Sequence, residues 1–314
     1  MNATEIEQTF KAAEAGNPAA VAQLGLWELV GHGVPRQPAA GVKRIIAAAE
    51  AGDAFGLHLA AIVDAGAVGT PRNIERALRW VEAGAKAGQA RAARQWALLS
   101  VPGAVEAFAA PIQRRRERDD PPIEVLDDFL PGWACDYVIA MSAPVLTRGK
   151  VVDESGGESV RGERTNTVMN FGLADSDVIL ELINWRVAEA AGMPAQNAEG
   201  LGVLHYNPGE RYAPHVDYIP DTPQNAAHLA ERGQRVRTLL IYLNDGFEGG
   251  ATEFPRLDLA LKPPRGGAVV FDSVKADGSP DPMTLHTGAA PTSGEKWLIS
   301  KWFRTKALRP GPEG

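Results

Sequence analysis

The stretch GLGVLHYNPGERYAPHVDY, residues 200–218, sets the reading of the C-terminal two thirds of the chain. An apolar run rich in β-formers is cut by the turn signal NPG, and YAPHVDY follows as a second candidate strand. Further short runs of the same texture come later: TLLIYLN (238–244), GAVVFDS (267–273) and KWLISKWF (296–303), each bounded by glycine or proline. Upstream, PPIEVLDDFLPGWACDYVIAM (121–141) reads as a strand, a turn and an amphipathic helix, and a second helix is expected over Ser176 to Gly192. Many short strands with a few helices predict an antiparallel jelly roll with supporting helices, an α+β domain over residues 123–308.

The first third has a different grammar. EAGN begins at Glu14, EAGD at Glu50 and KAGQ at Lys86, which puts Gly16, Gly52 and Gly88 at a constant spacing of 36. The same offset relates Gly33 to Gly69, Pro35 to Pro71 and Arg36 to Arg72. Alanine-rich stretches between the glycines carry apolar residues at helical spacing, so each unit reads as two short helices. Residues 1–110 are expected to stack as an all-α helical repeat solenoid. The arginine-rich segment 111–122, ending in two prolines, is expected to be a solvated linker, with Arg114, Arg115, Arg116 and Arg118 offset by Glu117, Asp119 and Asp120.

Composition narrows the function. The chain has 45% hydrophobic and 23% charged residues and a formal net charge of -7, which argues against general attraction to nucleic acid or anionic membrane. The start MNATEIEQTFKAAEAG lacks the features of a secretory signal, and no apolar run is long enough to cross a membrane, so a cytoplasmic location is expected. Cys135 is the single cysteine, which leaves histidine and carboxylate as metal donors.

His215 and Asp217 are two apart, a spacing that on a strand puts both on one face. His-x-Asp alone is a weak signal. Among the six histidines, His32, His58 and His228 read as structural or solvated, and His205 as a satisfied histidine between layers. His286 differs, because it lies between a polar loop and the final strand and can face the same interior. Two histidines with one carboxylate form the facial triad of non-haem iron(II) oxygenases, with three coordination positions open. Lys296, ten residues on, offers an ammonium for the far carboxylate of a 2-oxo acid.

With these residues in place, the stretch from about 121 to 306 resembles the prolyl 4-hydroxylase branch of the iron(II)- and 2-oxoglutarate-dependent dioxygenases. The matching elements occur in family order: IEVLDDFL, VVDESGGESVRGERTNT, LGVLHYNPGERYAPHVDY, QRVRTLLIYLND, EGGATEF, PRGGAVVF and LHTGAAPTSGEKWLISKWFR. The resemblance implies a double-stranded β-helix. It places His215, Asp217 and His286 on the iron and Lys296 on 2-oxoglutarate, with hydroxyls of Tyr206 and Thr238 assisting that anchor. Arg164, Trp302 and Arg304 match positions on the substrate side. Ala251 departs from the pattern, standing where relatives commonly carry an acidic residue. Asp217 favours hydroxylation, since halogen-transferring members lack this carboxylate. The implied reaction hydroxylates a C–H bond of a peptidyl, prolyl-type substrate and releases succinate and carbon dioxide. Fe(II), 2-oxoglutarate and O2 are the implied cofactors, with ascorbate a further candidate.

The N-terminal pattern resembles the Sel-one-like repeat, a relative of the tetratricopeptide repeat, over about residues 5 to 105. That family implies a protein partner or recruitment of a protein substrate, while a spacing role is equally compatible with the residues. The segments Lys150 to Thr165 and Ile219 to Gln234 are expected to act as lids. Two other readings compete: a scaffold with an oxygen- or 2-oxoglutarate-sensing metal domain, and a zinc hydrolase. The hydrolase reading leaves Lys296 unexplained and lacks an evident general base.

Overall fold

The computed structural model describes residues 3–149, 151–152, 158–159 and 164–312. The chain forms two compact units. One comprises the residues up to Ala109 with Gly172–Arg186 and those from Arg309; the other comprises Ala110–Phe171 and Val187–Leu308.

In the first unit, helices α1 (Ala3–Glu14), α2 (Pro18–Val30), α3 (Pro38–Glu50), α4 (Ala54–Gly66), α5 (Ile74–Lys86) and α6 (Ala90–Leu99) each pack against the next in the chain. The period has a backbone cause. Gly16, Gly52 and Gly88 turn the chain between paired helices with φ of 80°, 77° and 81°, a region that costs other residues energy. Gly25 and Gly41 serve close packing instead, since a Cβ on Gly41 would lie 2.5 Å from the Gly25 carbonyl oxygen. The core gathers Leu29, Ile45, Leu57, Leu59, Ile62 and Val63. Asp64, fully buried, accepts hydrogen bonds from Arg76 and from the Trp80 indole, which compensates its desolvation.

Residues 172–186, which the sequence reading put with the second domain, group with the repeats. Long-range polar contacts explain this: Arg91 pairs with buried Asp177 at 3.0 Å, Gln95 accepts from Val178 N, and Arg309 pairs with buried Glu181. None of these partners is adjacent in sequence, so local pattern could not reveal them.

The second unit is built on an eight-stranded antiparallel sheet. Its strands are β1 (Gln113–Arg118), β2 (Ile123–Asp127), β3 (Thr147–Arg148), β6 (Thr167–Phe171), β7 (Leu201–Tyr206), β9 (Arg235–Tyr242), β13 (Ala268–Asp272) and β16 (Lys296–Arg304). Their order is β1-β2-β13-β9-β16-β7-β6-β3. A second sheet has the order β12-β11-β14-β8, made of β8 (Tyr212–His215), β11 (Thr252–Phe254), β12 (Leu259–Leu261) and β14 (His286–Gly288). Two short pairs complete the strands, β4 (Val151–Val152) with β5 (Glu158–Ser159) and β10 (Glu248–Gly249) with β15 (Pro291–Ser293). Helices α7 (Gly132–Ser142), α8 (Val178–Ala191) and α9 (Ala226–Arg232) lie between the strands in sequence.

Alternate residues Leu204 and Tyr206, Leu240 and Tyr242, Val269 and Phe271 join Phe254 and Leu261 of the second sheet in one core. The intervening Val203, Leu239, Ile241 and Ile299 are fully buried too, so the central strands are apolar on both faces. This is the jelly roll of a double-stranded β-helix, as expected.

The segment 111–122 differs from the expected linker, because it contains β1. Its arginines are edge-strand residues: Arg114 and Arg116 bond Glu124 across the pair, and Arg115 bonds Glu117. A charged edge is compatible with strand pairing and discourages pairing with other chains. Among the described residues no helix is long and apolar enough to cross a membrane.

Candidate metal centre and co-substrate pocket

His215 ends β8 and faces His286, which begins β14; the two are register partners. Sequence distance is thus cancelled by one antiparallel pairing. The expected common strand for His215 and Asp217 is not formed, since β8 stops at His215 and Asp217 sits in the bend beyond it. Asp217 nevertheless reaches both rings. Its Oδ1 is 3.6 Å from His215 Nε2 and its Oδ2 is 3.6 Å from His286 Nε2, and the three donor atoms lie within 4.8 Å of one another.

The histidine tautomers follow from the backbone. His215 Nδ1 is 2.9 Å from the Ala213 carbonyl and His286 Nδ1 is 3.1 Å from the Thr284 carbonyl. A carbonyl can only accept, so each Nδ1 carries a proton and each Nε2 is the ring nitrogen turned toward Asp217. Burial, followed by the second imidazole, lowers the His215 pKa to about 3, so this ring is neutral at pH 7. Burial pushes the Asp217 carboxyl upward, but both histidines and the Thr238 hydrogen bond pull it below its ordinary value, so it stays ionised. Two imidazoles and one carboxylate are a complete donor set for a divalent metal.

Neighbouring rings fix the histidines. Tyr212 stacks on His215 with centroids 3.6 Å apart, and Phe271 meets His286 edge-on at 4.8 Å. Arg164 lies over the Tyr212 ring at 4.6 Å. The sequence reading left Tyr212 unassigned, although its position three residues before His215 was a usable signal.

Thr238 corrects an expectation. Its hydroxyl donates to Asp217 Oδ2 at 2.7 Å, so it braces the carboxylate rather than helping the Lys296 anchor. Strand β9 brings it there, fully buried, and its hydroxyl finds the nearest strong acceptor. Thr238→Val should weaken Fe(II) binding about 10-fold without unfolding the protein, as loss of an outer hydrogen bond to a metal ligand does. Anaerobic Fe(II) titration checks this.

Lys296 begins β16 opposite Tyr206 of β7. The residue is fully buried, and its Nζ has no hydrogen-bond partner among the described residues. It lies 4.8 Å from the Tyr206 ring centroid and 5.6 Å from that of Tyr242. Burial drives its pKa down to about 7, with Glu253 opposing and Lys262 adding to the fall. An ammonium left without an acceptor in an apolar wall is costly, and an incoming carboxylate removes that cost. Gly288 leaves room for the Tyr206 hydroxyl, since a Cβ there would sit 3.0 Å from that oxygen.

Tyr206 and the three donor residues line a cavity whose other walls include Arg164 and Trp302. Leu298, Ser300 and Trp302 alternate along β16 and share this face. Arg304 continues that count in sequence but does not line the cavity. A register shift between Phe303 and Arg304 ends the alternation, and Arg304 bonds Glu199 at 2.6 Å and the Gly233 carbonyl at 2.8 Å. Glu199 also takes both Nε and Nη2 of Arg235, whose guanidinium lies 4.0 Å from the Trp302 ring centroid. Sequence reasoning missed this brace.

His205 is the satisfied histidine expected, bonded to Thr167 and Glu295 and packed on Trp297. Of the two expected lids, Lys150 to Thr165 lies largely outside the described residues. The segment Ile219 to Gln234 contains α9, and its base is clamped by the Gln234 amide, which bonds both Ile219 N and Ile219 O at 2.7 Å.

Residues 201–304 match the 2OG-Fe(II) oxygenase superfamily. Prolyl 4-hydroxylase 1 of Arabidopsis thaliana is 39% identical over 202 residues, spanning 60% of this chain and 70% of the plant protein. The viral collagen prolyl hydroxylase of Paramecium Bursaria Chlorella virus-1, solved with 2OG, aligns at 25% identity and a TM-score of 0.46, covering 59% of this chain and 96% of its own. A Sel1 repeat protein from Oxalobacter formigenes aligns at 33% identity and a TM-score of 0.30, covering 32% of this chain and 41% of its own. The fold, the three-donor site and the plant relative together define an oxygenase: the chain belongs to the 2OG-Fe(II) oxygenase superfamily. Within it, the chain is prolyl 4-hydroxylase-like, and the family's cofactors are Fe(II), 2-oxoglutarate and dioxygen.

Proposed function

We propose that this protein hydroxylates a C–H bond of a peptidyl substrate, a prolyl residue by the similarity to prolyl 4-hydroxylases, with release of succinate and carbon dioxide. The observation that carries the reading is a His-Asp-His donor set together with a buried ammonium that has no hydrogen-bond partner among the described residues and that lies against Tyr206, a wall of the same cavity as the donors. His215, Asp217 and His286 would hold the iron, and Lys296 the distal carboxylate of 2-oxoglutarate. Iron, 2-oxoglutarate and dioxygen together supply the oxidising power for C–H cleavage. The protein's own part is positional: Thr238 orients the carboxylate, the Ala213 and Thr284 carbonyls orient the imidazoles, and the apolar walls limit water.

On the substrate side the residues are Arg164 and Trp302, which line the cavity; the Trp302 indole N–H is buried and has no acceptor among the described residues. A peptide carbonyl fits that donor. The brace behind Trp302 makes a separate prediction. Glu199→Gln weakens the hold on Arg235, so the KM for peptide should rise several-fold while the KM for 2-oxoglutarate is unchanged. Steady-state kinetics in each substrate would check this, and an equal rise in both would count against the assignment.

The test of the function is anaerobic loading with Fe(II), then succinate release with and without proline-rich peptides, and with and without ascorbate. Substrate-stimulated succinate with a mass gain of one oxygen on the peptide supports the reading. No turnover with iron would remove it in favour of a sensing scaffold. Recruitment by the repeats is tested by comparing protein and short-peptide substrates in the full chain and in repeat-surface variants.

A further inference from the structure

A second cavity, of about 170 Å³, lies wholly within the repeat unit, lined by residues of α4, α5 and α6, by Gln89 before α6 and by Asp177 and Val178. Its walls are mainly apolar, with Leu57, Ala61, Val81, Ala92 and Val178 beside the Trp80 ring. The charges in its lining are already matched. Arg91 bonds Asp177 through Nε at 3.1 Å and Nη2 at 3.0 Å, and His58 is held neutral by burial, its Nε2 3.0 Å from the Ala174 carbonyl. The Trp80 N–H is committed to Asp64, and Gln95 Oε1 to the Val178 amide.

One polar group is left over. Gln89 Nε2 is buried and has no hydrogen-bond partner among the described residues. The repeat shows that this is a departure. Gln89 is equivalent to Asn17 and Asp53 by the 36-residue period, and those two side chains cap α2 and α4 by accepting from Ala20 N and Gly56 N. Gln89 stands at the same position before α6 and makes no cap bond. The third repeat therefore forgoes a stabilising cap and lines the cavity with an amide donor in its place.

We infer that this cavity binds a neutral peptide segment, taking one apolar side chain against Leu57, Trp80 and Val178 while Gln89 Nε2 donates to a backbone carbonyl. Balanced wall charges disfavour an ionic ligand, the apolar lining selects an apolar group, and the lone donor requires an acceptor beside it. The inference deepens the reading of the repeats as a recruiting module and is independent of the iron chemistry.

The test uses the full chain without metal, with methyl groups labelled, titrated with N-acetyl-leucine N-methylamide. Saturable shifts at the methyls of Leu57, Ala61, Val81, Ala92 and Val178 are expected. Gln89→Asn, which restores the Asn17 type of cap and withdraws the amide, should raise Tm by about 2 °C and weaken binding at least about 10-fold. Gln89→Leu, which keeps the bulk, should weaken it equally. The inference is overturned if no saturable shift occurs, if Gln89→Asn binds as well as the parent, or if toluene, apolar but without an acceptor, binds as tightly as the blocked leucine. Because no step requires turnover, a failure here is distinct from a failure of the oxygenase reading.

Discussion

Lys296→Met should raise the 2-oxoglutarate concentration for half-maximal turnover by about 100-fold or more, and at the same time make the ligand-free protein more stable at neutral pH. The two effects share one cause. Truncating one member of a buried charge pair costs about 2–5 kcal/mol of binding, and about 1.4 kcal/mol is tenfold in affinity. Without ligand the same ammonium has no hydrogen-bond partner among the described residues, and methionine fills the space at no electrostatic cost. The pH dependence has a definite sign. The Lys296 pKa is about 7 in the folded protein against an ordinary 10.5, so the fold binds fewer protons than the unfolded chain between those values. The penalty is therefore full below pH 7 and is relieved as pH rises toward 10.5, by on the order of 5 kcal/mol at most. Binding behaves oppositely. Above pH 7 the amine must gain a proton to meet a carboxylate, so 2-oxoglutarate affinity should fall by up to about tenfold per pH unit. Denaturant melts and 2-oxoglutarate titrations from pH 6 to 9 check both slopes. If Lys296→Met leaves both unchanged, the lysine is not the anchor.

Asp217→Ala should remove metal binding and lower succinate release by about 1000-fold or more, while the fold persists. The carboxylate is the anionic donor of the set and the group nearest to both Nε2 atoms. Without it two imidazoles remain, a set whose affinity for a hard divalent ion is far weaker. Thermal melts with Mn(II), which suits the same donors and does not turn over, separate binding from catalysis. The parent should gain about 2.7 kcal/mol at 100 times Kd, and the variant should gain nothing. A variant that still binds Mn(II) at the parent's affinity would show that the metal sits elsewhere.

The contrast between Thr238 and Arg304 shows where sequence reading stops. Both were drawn to the pocket by their place in matching motifs. Thr238 does reach the site, but its hydroxyl meets Asp217, because the bend after β8 returns that carboxylate against β9. Arg304 sits one count beyond Trp302 in an alternation that should have kept it facing the cavity. One register shift sends it to Glu199 instead. Neither the bend nor the shift has a local composition signal. The arginines of β1 are a related case: charge density suggested solvent, while pairing with Glu124 across an edge gave a strand.

Features that depend on short spacing are legible in the residues alone. The 36-residue period follows from glycines that must adopt positive φ, the strand runs follow from apolar alternation, and His215, Asp217, His286 and Lys296 were each identifiable from residue type and motif order. Partnership between distant residues is not legible there. The tertiary structure showed which oxygen Thr238 bonds, which guanidinium backs Trp302, that Gln89 makes no cap bond before α6 and lines a cavity, and that residues 172–186 belong with the repeats. The physical reason is that a hydrogen bond or ion pair needs its atoms within about 3–4 Å. Register, bulges and bends set such distances between residues far apart in the chain, and no spacing along the sequence encodes them.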